Sequence, residues 1–83
     1  MSECGEEVIA RTIINILKEG PLTSKEIITK LEDLTECAVS PTDIREVLAQ
    51  LVREGLVLKV LRDRGSKNVF IFRISPHALD AIQ

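Results

Sequence analysis

Arg62, Arg64 and Lys67 stand within six residues of one another around Gly65, opposed only by Asp63. Cations at that density suit a polyanion, because each guanidinium or ammonium neutralises a phosphate without needing a particular base beside it. A second set, Ser40, Thr42, Arg45, Gln50 and Arg53, falls where the spacing predicts a helix over 41–54. On the polar face of that helix Arg45 suits guanine and Gln50 suits adenine, with Arg53 on the same face. Ser40 and Thr42 stand near the helix start, where hydroxyls and free backbone N–H groups donate to phosphates. Asp43 and Glu46 share the face and repel phosphate. The plainer alternative is a solvated helix face on which Arg45 and Glu46 pair with neighbours, and a hairpin tip that is polar only because it is exposed.

Other chemistries fare worse. Cys4, Cys37 and His77 are at most three strong zinc ligands, and a structural zinc site takes four, so no metal and no cofactor is expected. Two free thiols in a reducing cytosol are expected instead; a disulfide would fit a hyperthermophile. The scarcity of Asn and Gln (Asn15, Gln50, Asn68, Gln83) is compatible with a thermophilic source. His77 has no nucleophile motif, Gly-rich phosphate loop or catalytic carboxylate pair around it, so an enzyme is not expected. Phe70 and Phe72 alternate as base-stacking aromatics do on RNA-binding sheets. They are the only aromatics in the chain, however, and both rings are expected in the core.

These residues need a frame. Eighty-three residues make one small domain, which buries only about 60–65% of its unfolded surface. A 45% hydrophobic content, nearly all aliphatic, compensates. No stretch approaches the roughly 20 apolar residues of a membrane span, and the leading MSECGEEV is acidic where a targeting peptide would be basic. A cytoplasmic protein is expected. The net charge is −2, but it is unevenly spread: residues 1–36 carry eight acids and four bases, and residues 59–83 two acids and five bases. A polyanion would land on the second region.

The first helix is predicted over 6–19, with Ile9, Ile13, Ile16 and Leu17 inward and Val8, Ala10 and Ile14 widening the stripe. Gly20-Pro21 stops it, and Pro21-Leu22-Thr23 is a short extended piece. The second helix opens at the Thr23–Glu26 capping box and points Ile27, Ile28, Leu31 and Leu34 at the core. A link over 32–39 follows. Ser40, Pro41 and Asp43 then start the third helix, which buries Ile44, Val47, Leu48, Leu51 and Val52 and stops at Gly55. Strands are expected near 56–62 and 68–74, joined by the polar tip 63–68, and a short helix near 76–83. Both strands are apolar on both faces, more than one small core can hide, which marks an interface.

The run T-S-K-E-I-I-x-K-L and the run V-S-P-T-D-I-R-E-V-L-x-x-L-V-R-E-G-L-V, with the hairpin after them, resemble the winged helix-turn-helix family of DNA-binding domains, over about 6–74. The resemblance implies an α+β fold: a three-helix core, a C-terminal β-hairpin wing and a short C-terminal helix. It implies double-stranded DNA as partner, with helix 41–54 in the major groove and the wing over 62–68 on phosphate or minor groove. The sequence departs from the family at Glu32–Ala38, an apparent insertion adding negative charge beside the expected DNA face. The function expected is a transcriptional regulator acting as a homodimer through helix 6–19 and the C-terminal helix. The alternative is a protein-binding winged-helix module, an accessory subunit of a replication or transcription complex.

Overall fold

Apolar residues on three helices and two strands meet in one core. The structure, a computed structural model, describes residues 4–65, 67–76 and 78, without the side chains of Asp63, Arg64, Lys67 and Asn68. α1 (Glu6–Leu17) begins with Glu6 and Glu7, whose carboxylates oppose the positive end of the helix, and buries Ile9, Ile13, Ile16 and Leu17 along one stripe. It ends two residues short of the expected Glu19.

β1 (Leu22–Thr23) leads directly into α2 (Ser24–Leu34). Thr23 caps α2: its hydroxyl accepts from the Glu26 N–H at 3.2 Å, and the Glu26 carboxylate accepts from the Thr23 N–H at 3.1 Å. α2 buries Ile27 and Leu31. Leu34 is not core: it continues the stripe of Leu31 into the last turn, but the core ends before it and it is 65% exposed. Ile28 is half-buried at the core's edge. The expected insertion is correspondingly smaller, because Glu32, Asp33 and Leu34 belong to α2 and only residues 35–40 connect it to α3 (Pro41–Arg53).

α3 starts with the Ser40 hydroxyl accepting from the Asp43 N–H at 3.1 Å. Its C-terminus turns on Gly55, whose φ of 78° belongs to the left-handed region. The Leu56 N–H donates to Leu51 O at 3.0 Å and the Gly55 N–H to Val52 O at 3.1 Å, the two bonds of a Schellman close. Ile44, Val47, Leu48 and Leu51 are buried, and Val52 is half-buried against them.

β2 (Val57–Arg64) and β3 (Lys67–Ile74) pair antiparallel from Val57↔Ile74 to Arg64↔Lys67. β3 also pairs with β1 through Leu22↔Phe72 and Thr23↔Ile71, so the sheet order is β1-β3-β2. The strands run further than expected. Residues 63, 64, 67 and 68 are paired strand rather than flexible loop, and Gly65, with φ 68°, takes the turn. Strand alternation puts Val57, Lys59, Leu61, Phe70, Phe72 and Ile74 on the face turned to the helices. Val57, Phe72 and Ile74 join the core there. Phe70 does not: it sits beyond the core's edge and is 48% exposed, against the expectation that both rings are needed inside.

The cysteines are also not free. Cys4 and Cys37 form a disulfide with Cα atoms 5.1 Å apart, and the Cys4 N–H donates to Ala38 O at 2.7 Å. The segment before α1 is thereby fastened to the α2–α3 connection. A sequence separation of 33 hid this, since only the packing of α1 across α2 and α3 brings the cysteines together. Most of the expected helix over 76–83, with His77, lies outside the described residues. Within them Pro76 and Ala78 are helical, and Ala78 is buried in the core.

Candidate nucleic-acid interface

α3 presents three faces. Ile44, Val47, Leu48 and Leu51 point into the core. At about 100° per residue, Arg45, Ala49 and Val52 form the flank toward the wing. Thr42, Glu46 and Arg53 lie in the middle of the exposed arc, and Asp43, Gln50 and Glu54 form the opposite flank. Gln50 and Glu54 line a shallow depression with Glu6, Glu7 and Ala10 of α1, and Glu46, Gln50 and Arg53 line another with Glu6.

The expected site residues therefore divide. Ser40, Thr42, Arg45, Gln50, Arg53 and Arg62 are all exposed. Arg45 faces the wing. Gln50, expected to read adenine, faces the start of α1 and stands among carboxylates that repel a DNA backbone. Arg62 has the same strand parity as Leu58 and Val60, on the face of the sheet away from α3. The side chains of Arg64 and Lys67 lie outside the described residues; their backbones form the last pair before the turn. Among the described residues the one ion pair is Arg11–Glu7 at 2.9 Å on α1. Neither Arg45 nor Glu46 forms an ion pair with a described residue.

Between α3 and the wing runs an open groove of about 400 Å³, lined by Ser24, Arg45, Leu48, Ala49, Val52, Lys59, Phe70 and Phe72. Among the described residues its lining carries two cations and no acid. Lys59 was missed by the sequence reading, which attended to the hairpin tip. Its Nζ lies 4.3 Å from the Phe70 ring centroid and 6.0 Å from that of Phe72, so the ammonium rests on the aromatic faces. A signal was available: period-two alternation puts Lys59 between Val57 and Leu61, on the strand face turned to the helices.

The interface is thus polarised. Arg45 and Lys59 stand on the wing side, Asp43, Glu54, Glu6 and Glu7 gather toward α1, and Glu46 and Arg53 lie between. Sequence comparison adds nothing further: no family model and no curated protein matches the chain. Several solved structures do. The structure of smu.1704 from Streptococcus mutans UA159 superposes with a TM-score of 0.83 at 9% identity, over 96% of this chain and 74% of that one. A PadR family transcription regulator from Clostridium difficile R20291 gives 0.79 at 14%, over 89% and 78%. Bacillus subtilis PadR, solved in complex with operator DNA, gives 0.75 at 18%, over 90% of this chain and 44% of that one. These likenesses establish the fold as a winged helix-turn-helix, with α2 and α3 as the helix pair and β2–β3 as the wing.

Proposed function

We propose that this chain is a DNA-binding transcriptional regulator, acting in the cytoplasm as a homodimer, with α3 in the major groove and the wing along the phosphate backbone. The observation that carries the reading is the groove between α3 and the wing, whose described lining holds Arg45 and Lys59 and no acid, on a fold that a protein solved on operator DNA shares. Ser40, Thr42, Arg45 and Arg53 are the α3 contacts, and Arg62, Arg64 and Lys67 the wing contacts. Gln50 is retained only as a peripheral contact. The proposed pairing surface is α1 with residues 76–83; on α1, Val8 is 47% exposed beside half-buried Ala10 and Ile14.

The test is a fluorescence-anisotropy titration of a labelled duplex at two salt concentrations. Phosphate neutralisation makes log K fall with log salt, by about 0.9 for each phosphate engaged. A slope near zero, or no binding at low salt, overturns the reading. A protein-binding module is the second reading, favoured by Leu58 and Val60 on the outer face of the wing, each 39% exposed. If light scattering shows a monomer and duplexes do not bind, that reading stands in its place.

A further inference from the structure

We infer that the groove between α3 and the wing is a clamp for one sugar–phosphate strand of the duplex, with Arg45 and Lys59 as its phosphate contacts and Phe70 as an apolar platform for deoxyribose. The inference rests on the DNA-binding reading above and refines it. It moves Arg45 from base reader to backbone contact, adds Lys59 and Phe70, and makes the inner face of the wing the working surface rather than its tip.

Three features of the groove point to this occupant. Its two walls each carry one cation: Arg45 projects from α3 and Lys59 from β2. Its floor is apolar, made of Leu48 and Val52 from α3 and Phe72 from β3, with Ala49 and half-exposed Phe70 at the rim. An alternation of anionic and apolar surface is what a sugar–phosphate strand offers, since phosphates flank each deoxyribose. A base edge offers a planar set of donors and acceptors instead, and the described lining has only the Ser24 hydroxyl and the two cations to meet it. The third feature is Ser24, the first residue of α2, which opens onto the same groove. The end of that helix is already capped by Thr23 and the Glu26 carboxylate, so its contribution to the groove is the Ser24 hydroxyl.

Lys59 is well placed for such a role. Lying over Phe70 and Phe72, its ammonium gives up part of its hydration to the aromatic faces and keeps its remaining donors for a phosphate oxygen. The position on the central part of β2, opposite Phe72 in the register, fixes its height above the groove floor. A lysine at the hairpin turn would have no such support.

The experiment measures duplex affinity against salt for the full chain and for Arg45→Ala, Lys59→Ala, Lys59→Arg and Phe70→Ser. Two labelled duplexes are used, one of random sequence and one selected by the protein from a random pool. Arg45→Ala and Lys59→Ala are each expected to lower the salt slope by about 1 and the affinity about fivefold at 0.15 M salt, equally on both duplexes. Lys59→Arg is expected to restore both. Phe70→Ser should weaken binding with the slope unchanged. Circular dichroism confirms that each variant is folded.

Loss from Arg45→Ala on the selected duplex alone makes Arg45 a base reader and overturns the clamp. An unchanged slope for Lys59→Ala overturns it too. A variant that alters the scattering mass but not the DNA affinity assigns the groove to a second copy of the chain and overturns it likewise. If the unaltered protein binds neither duplex, the failure lies with the DNA-binding reading itself.

Discussion

Reducing the Cys4–Cys37 disulfide should cost this domain a large share of its stability. The two cysteines are 33 positions apart, so the bond closes a loop that contains all of α1, β1 and α2. In the chain-entropy treatment, a loop of that length withholds about 12.6 cal/mol/K from the unfolded state, or about 3.7 kcal/mol at 25 °C. The total available to an 83-residue domain is roughly 4–12 kcal/mol, so the bond supplies between a third and nearly all of it. A loss of that size corresponds to a fall in Tm of about 15–30 °C for a domain of this length. The assay is thermal and denaturant unfolding followed by circular dichroism, on the oxidised protein, on protein kept in a phosphine reductant, and on Cys37→Ser. Because the effect acts through the unfolded chain, the denaturant m-value should rise on reduction as that chain expands. A Tm that moves by less than about 3 °C, with an unchanged m-value, refutes the argument that the cross-link is a principal stabiliser. Alkylation of both thiols in the folded, unreduced protein refutes the bond itself.

Three further outcomes are expected. Gly55→Ala should cost about 1 kcal/mol at unchanged m-value, because φ is 78° there and nothing lies within 4 Å of an added Cβ, so the cost is purely conformational. Leu34→Ser should shift stability by no more than about 0.5 kcal/mol, whereas Leu31→Ala, three residues earlier and fully buried, should cost roughly 2–5 kcal/mol; parallel denaturant midpoints check the pair. Glu46→Gln should strengthen duplex binding in the anisotropy assay and Gln50→Ala should leave it nearly unchanged, since Gln50 stands among the acids at the start of α1; a large loss from Gln50→Ala would put that flank on the DNA.

What the sequence disclosed and what it hid separate along physical lines. Caps, stops and periodicity are local, and they marked the elements well: the Thr23–Glu26 box, Ser40 before Pro41, Gly55 after α3, and the alternation of β3 all operate as their spacing implies. The errors concern relations between distant residues. Leu34 fits the helical stripe of α2, yet the stripe outlasts the core it faces, and no periodicity reports where a neighbour ends. Phe70 repeats Phe72 at strand spacing, but the hairpin extends past the helices, so one ring is buried and the other rests at the rim of a groove. Cys4 and Cys37 meet only after α1 is laid across α2 and α3. The same limitation affected the site. A cluster of cations in sequence drew attention to the hairpin tip, whereas Lys59 and Arg45 become neighbours of one groove only through the packing of α3 against the sheet.

The distribution of charge also resolves an apparent conflict between a net charge of −2 and a nucleic-acid partner. At physiological ionic strength exposed charges are felt over about 8 Å, so a phosphate backbone responds to the flank it approaches and not to the sum over the molecule. On the α1 side it meets Glu6, Glu7, Glu46 and Glu54, with Arg53 the one cation beside them; on the wing side it meets Arg45 and Lys59. Repulsion on one flank and attraction on the other permit one docking direction and penalise its alternatives. The acids on α3 therefore need not argue against DNA binding. On the proposed DNA-binding reading they would lower affinity for duplexes presented in the wrong orientation, at the expense of total affinity, and so convert a weak general attraction into a directed one. Neutralising that flank should accordingly raise affinity for random duplex more than for a selected one and narrow the ratio between them. An equal gain on both would show that the acidic flank merely weakens binding and directs nothing.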